Sequence, residues 1–508
     1  MSLTLRLLSH LCLLSAVKSV SKFPLYFFRF LLVFLILTAG TSAFAQKNWL
    51  PATGGDWSVG ANWSGGTPPV AGDVVVINSD QSGNITNVPT ISLGGLTING
   101  SCLLSSTAAA TVAAVTITGP LTIAAGETLI LGIDGSGFRV NMTLSSSSVS
   151  IINGTLSVRS GGANRFLQNN GDLTVSSTGL ITDSFSVTGN DSDFILGATA
   201  TLRIGSTNGI TTSPTTSGNI QVAGTRTFPA TANYSYVGAA NQSTGNGLPA
   251  TVNDLTIANT GGGGNNTVSL TSSKSISGNL SVNRGVFALG TNNITTVAAI
   301  NMTGTSITGT GTLTLAGDVT TNASGATASI GAPIALGGST RTFTIADGGA
   351  TPDLQISSGI SGASGFIKSG SGLLNLFGVS TYTGTTTVNT GTLRLGSLTA
   401  LGTTAGGTIV NTGAAIDISG QNYAAAEPLT LNGTGISGSG ALFNSSVTGA
   451  TFGGLITLGS SATISGSNGT INISNAGTIT GAGFDLTLDG ATGGALASSL
   501  GTGTGGII

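Results

Sequence analysis

Val252-Asn-Asp-Leu-Thr-Ile-Ala-Asn-Thr-Gly261 is followed by Lys274-Ser-Ile-Ser-Gly-Asn-Leu-Ser-Val282 and Gly285-Val-Phe-Ala-Leu-Gly290. Each piece alternates apolar and polar residues over three or four positions, the signature of a strand with one buried face. Gly, Asn, Asp and Ser stand at the ends of each piece, where they favour turns. The same phrase recurs outward in both directions. It appears as Gly95-Leu-Thr-Ile98, Pro120-Leu-Thr-Ile123, Thr155-Leu-Ser-Val158, Asp172-Leu-Thr-Val175, Thr312-Leu-Thr-Leu315, Thr392-Leu-Arg-Leu395, Pro428-Leu-Thr-Leu431, Thr470-Ile-Asn-Ile473 and Asp485-Leu-Thr-Leu488. No sustained helical pattern lies between the copies.

Short strands and turns repeated in this way predict a solenoid. The expected fold is all-β, a right-handed parallel β-helix of about 20 irregular coils. Stacked about 4.8 Å apart, these would make a rod near 100 Å long. Leu, Ile and Val would face inward, each worth about 1.5–3 kcal/mol when buried. Thr and Ser would face outward as good strand residues that stay hydrated without charge. A string of β-sandwich domains is the competing arrangement, and the irregular spacing and lack of linkers argue against it. Residues 205–250 and Gly261–Gly264 are poor in the phrase and are expected to be loops extruded from the rod or disordered.

Composition fits this reading. Of 508 residues, 15 are Lys or Arg and 17 are Asp or Glu, so 6 % are charged, against about 25 % in an ordinary soluble domain. So few cations cannot form the basic patch that nucleic acid requires. The apolar run Phe30–Gly40 is shorter than the ~20 residues of a membrane-spanning helix. It follows Lys18, Lys22 and Arg29 and precedes Ala43-Phe-Ala45. Residues 1–45 therefore read as a secretory signal peptide cleaved between Ala45 and Gln46. Loss of Arg6, Lys18, Lys22 and Arg29 leaves 11 cations against 17 anions, a net charge of −6. His10, the sole histidine, and Cys12 go with the leader, and Cys102 stays alone. A mature chain without histidine excludes Ser-His-Asp and Cys-His catalysis and the usual zinc sites. No cofactor or metal is expected.

Residues 366–402 carry a longer motif. Phe366-Ile-Lys368-Ser-Gly-Ser-Gly372-Leu-Leu374-Asn-Leu376-Phe-Gly378 leads into Thr381-Tyr382-Thr-Gly384. Thr387-Val388 and Gly391-Thr-Leu393-Arg-Leu395-Gly396 follow. This segment closely resembles the autotransporter-associated β-strand repeat of Gram-negative surface proteins. The resemblance implies a β-helical passenger exported across the outer membrane. Leu374, Leu376, Val388, Leu393 and Leu395 would point inward, and Gly378, Gly384 and Gly391 would form turns. Family members usually carry several copies and end in a membrane barrel. This chain shows one clear copy and ends in Gly501-Thr-Gly-Thr-Gly-Gly-Ile-Ile508, so a C-terminal translocation or sorting domain is expected to be missing. The stretch from Val252 to Gly290 also resembles β-strand-repeat proteins secreted by Bacteroidetes, which often end in a sorting domain. The expected layout is a leader (1–45), a Trp-rich N-terminal cap with the first strand (46–80) and a solenoid (81–508).

Trp49, Trp57 and Trp63 fall within 15 residues. They read as a cap that plugs the end of the core, with stacking on sugar rings as the functional alternative. The candidate carboxylates for glycan cleavage are Asp191 and Asp193 with Asp183 upstream, Asp347 with Asp353, and Asp485 with Asp489. Beside Asn, Gly and Ser such residues usually form turns. Arg159 and Arg165 bracket a loop at 160–164 that reads as solvated.

The resulting expectation is a non-catalytic, exported, adhesin-like protein of the cell surface or medium. It would present an extended uncharged Thr/Ser/Asn face. Its partners would be export machinery and a surface ligand, with a glycan or a host or neighbouring cell surface as candidates. No nucleic acid and no membrane span in the mature chain are expected. A polysaccharide-active lyase or glycosidase is the alternative, and an ice-binding solenoid with flat Thr arrays is a lesser one.

Overall fold

The chain from Gln46 to Ile508 winds as parallel strands stacked into a β-solenoid of about 18 turns, with almost no helix. The computed structural model describes residues 44–508 apart from 109–110, 134–136, 159–165, 177–178, 183–192, 213–217 and 223–224. His10, Cys12, Asp183, Asp191, Arg159, Arg165 and the 160–164 loop lie outside the described residues, as does the apolar run of the leader. Among the described residues no helix is long and apolar enough to cross a membrane.

The first coils have three faces. Gly95–Ile98, Cys102–Ser106 and Val112–Ile117 belong to three different sheets, and Leu121–Ile123 returns to the first. Further along, the side faces join the main sheet, where Ile294–Met302 and Leu313–Thr321 each run nine residues. Among the described residues every strand pairing apart from one bridge at the N-terminal end is parallel, because each strand meets its counterpart one turn away in the same direction.

Alternation along each strand sorts the side chains. Leu255, Leu280, Ile300, Val319 and Phe343 are consecutive register partners, and all are fully buried. Their neighbours Thr256, Ser281, Asn301, Thr320 and Thr344 form the next column on the opposite face. Period two places successive side chains on opposite faces, so a shared register turns the recurring phrase into one apolar core and one polar ladder. Successive coils also approach closely within strands. At Gly317 an added Cβ would fall 1.4 Å from the Ala298 carbonyl oxygen of the coil above.

The number of turns is slightly below the expected 20 because coil length is uneven. Leu202 pairs with Tyr234, 32 residues on, whereas Ile300 pairs with Val319 after only 19. The expected loop at 205–250 is largely built into the rod. It contributes the strands Ile220–Gln221, Arg226–Thr227, Asn233–Tyr236 and Gln242–Ser243. Buried amides hold it in place of apolar repeats. Asn219 Nδ2 donates to the Ser176 and Gly179 carbonyls, and Gln242 Nε2 to those of Ile204 and Ser206. Gly262, Gly263 and Gly264 do project as an exposed turn.

Candidate functional site: the motif coils, the N-terminal end and the outer ladder

The strand Phe366–Ser369 places Phe366 and Lys368 on the same face, two residues apart, and both are fully buried. Lys368 is thereby in the core column itself, between Phe343 above and Val388 below. Its ammonium donates to three carbonyls: Ser369 at 3.1 Å, Gly370 at 2.7 Å and Thr390 at 3.0 Å. Burial pulls this group down to about 8, while the Asp353 carboxylate pulls the other way. The side chain acts as an internal clamp on the turn at Gly370 and on the coil beneath. Lys274 does the same with the Leu248 carbonyl (2.9 Å) and Ser272 Oγ (2.7 Å). Arg341 donates to the carbonyls of Leu315, Ala316 and Leu336. These cations therefore satisfy backbone acceptors that a tightening coil would otherwise leave unpaired.

Leu374, Leu376, Val388, Leu393 and Leu395 are buried in the core. Of the three glycines expected at turns, Gly391 alone has a left-handed conformation, φ +71°, and it opens the strand Gly391–Leu395. Gly378 and Gly384 serve close approach instead. An added Cβ would lie 2.1 Å from the Ser358 carbonyl carbon at the first and 2.1 Å from the Gly365 nitrogen at the second. At Gly372 the Ala346 carbonyl oxygen would be 2.6 Å away. Tyr382 is buried edge-on to Phe366, centroids 5.5 Å apart, and its hydroxyl bonds Thr386 Oγ1 at 2.6 Å.

Several of the described acids accept from backbone N–H groups. Asp353 accepts from Gly348 and Leu373, Asp193 from Thr225, Asp485 from Gly506 and Asp489 from Gly490. Asp254 and Asp318 reach down one coil to the N–H groups of Asn279 and Thr342. Asp417 is fully buried and accepts from Arg394 Nε at 2.8 Å and from Ser445 Oγ at 2.6 Å. Sequence reasoning missed two features here. One is the inward position of Lys368, which period-two alternation with Phe366 could have shown. The other is a buried acid, Glu427, which has no such signal. Among the described residues no three His, Cys, Asp or Glu side chains gather as a metal site.

At the N-terminal end, the first strand Gln46–Trp49 pairs with Val74–Ile77 on one side. Gln46 and the preceding Ala45 are exposed. On the other side the chain folds back antiparallel, with a bridge between Trp49 and Trp63. Trp63 lies edge-on to Trp49 at 4.9 Å and to Trp57 at 4.6 Å. Its Nε1 donates to the Trp57 carbonyl at 2.7 Å, and Trp49 Nε1 donates to Gln81. The three indoles are 1–3 % exposed, so no ring face is open for a sugar to stack on.

The outer ladder is the most extensive polar feature. Thr97, Thr122, Ile151, Thr174, Arg203, Ser235, Thr256, Ser281, Asn301, Thr320, Thr344 and Ser369 are successive register partners. Its one charge, Arg203, pairs with Asp172 at 3.1 Å. Stacked like charges would repel at this spacing, whereas hydroxyls and amides do not. The chain matches no family model, no curated protein and no solved structure.

Proposed function

We propose that the protein is a non-catalytic, exported surface or secreted protein that works, adhesin-like, by presenting its outer ladder to a neighbouring surface. The observation that carries this reading is the unbroken register of mostly uncharged polar residues from Thr97 to Ser369. A long rigid row of weak donors and acceptors suits contact with an extended partner, since many shallow contacts add up where no pocket concentrates affinity. The leader-like N-terminus and the resemblance of residues 366–402 to the autotransporter-associated repeat support export.

Beads coated with the purified protein test this directly, with retention measured on cellulose and chitin films and on bacterial cell layers. Retention on at least one surface is expected. Thr256→Asp combined with Thr320→Asp should cut it at least tenfold while the β-sheet circular dichroism stays unchanged. Failure to bind every surface, or retention indifferent to the two charges, would contradict the proposal. Release of reducing ends from the films would favour the polysaccharide-active enzyme instead.

A further inference from the structure

One acid is placed unlike the others. Glu427 is 1 % exposed and precedes the strand Leu429–Gly433. Its Oε1 accepts from Thr408 Oγ1 at 2.8 Å, and its buried Oε2 has no partner. Neither described ion pair includes it. Thr408 is the register partner of Thr386, whose hydroxyl bonds Tyr382. Thr386 and Thr408 interrupt a core column that otherwise holds Phe366, Leu429 and Ile456. Three consecutive coils thus share a buried polar seam. The titratable groups facing Glu427 are the phenols of Tyr382 and Tyr423, both buried and both pushed up by that burial. The coil beneath brings the backbone of Gly454 against the Glu427 carbonyl.

We propose that Glu427 is a pH-sensitive latch: its uncharged carboxyl holds the coils of residues 382–431 closed, and its ionisation loosens them. An uncharged acid with one unpaired oxygen costs less in such a seam than an unpaired charge does. A carboxylate there lacks both a cation and the hydrogen bonds that would replace water. Burial pushes the group up to about 7, against the lowering pull of the Thr408 hydroxyl. The folded value lies above the ordinary one of about 4.3. The contribution is therefore fully present below that ordinary value and is lost as pH rises through 7. Between those two values each pH unit raises the local opening equilibrium up to tenfold, the limit for release of one proton, and above 7 the dependence levels off because both states are ionised.

Hydrogen exchange of the intact protein between pH 4 and 8 tests the latch. Peptides from 382–431 are read relative to peptides from 255–302, which cancels the intrinsic pH dependence of exchange. Wild type should show excess opening of 382–431 that grows up to tenfold per unit as pH rises towards 7 and levels off above it, and Glu427→Gln should abolish that growth. Lys368 titrates in the neighbouring coil with the opposite sign and is common to both proteins, so their difference isolates Glu427. Wild-type coils 382–431 that track the reference coils at every pH would overturn the proposal. So would a Glu427→Gln variant that keeps the wild-type pH dependence.

Discussion

Gly391→Val is expected to lower the unfolding free energy by about 4 kcal/mol, among the larger single effects available in this fold. Gly391 sits at φ +71°, where a residue with a side chain costs about 1–2 kcal/mol and a β-branched one is a genuine outlier. The added Cβ would also lie 2.4 Å from the Gly370 carbonyl oxygen, 2.6 Å from that of Gly372 and 2.7 Å from Lys368 Nζ. The substitution therefore expels the ammonium from its carbonyls as well as straining the turn, and a charge-assisted bond is worth about 1.5–3 kcal/mol. Gly413→Ala separates the two contributions. Gly413 has a similar φ of +82°, but an added Cβ meets nothing within 4 Å. Its loss should stay at about 1–2 kcal/mol, the conformational cost alone. Urea unfolding of both variants checks this, and equal losses would show that the clamp at Lys368 contributes nothing.

Trp63→Ala should cost about 3–5 kcal/mol, the usual range for deleting a large buried ring. Trp63 is 1 % exposed, touches both other indoles edge-on and forms the bridge that closes the outer side of the first strand. Its removal leaves a cavity at the end of the core and frees the unpaired edge of Gln46–Trp49. In a solenoid each coil is held by its neighbours, so damage at an end frays inward from that end. The variant should show faster hydrogen exchange over residues 46–98 and a red-shifted tryptophan emission, with coils beyond residue 250 unaffected. Wild-type exchange over 46–98 would mean that the indole cluster does not hold the end of the rod.

The strands and their inward faces were legible because alternation is a local property. Leu255, Leu280 and Leu393 announce their burial by spacing alone. Coil length was not legible. Whether Leu202 meets a residue 19 or 32 positions later depends on how much chain the corners absorb, and turn residues mark corners without measuring them. The stretch 205–250 read as loop because its core residues, among them Ile210, Ile220, Tyr234, Tyr236 and Leu248, fall outside the recurring phrase, and because Asn219 and Gln242 supply buried hydrogen bonds. Asp254 read as a turn residue, but its bond reaches the next coil, and a single sequence does not specify register. Glu427 was silent for a related reason: its partner Thr408 lies 19 residues away, and nothing in the local pattern distinguishes a buried acid from a hydrated one.

The outer ladder exists only if successive coils stack in the stated register, and one cross-linking measurement tests that most directly. In a protein with Cys12→Ser and Cys102→Ser, the register partners Thr256 and Ser281 are both replaced by cysteine. Partners in adjacent parallel strands lie about 4.8 Å apart, within the Cα separation that a disulfide spans. Thr256→Cys with Asn279→Cys offers the same face but is offset by two residues, beyond about 7 Å. The in-register pair should oxidise to an intramolecular disulfide, and the offset pair should stay free. Cross-linking of the offset pair, or of neither pair, would contradict the stacked ladder on which the functional reading rests.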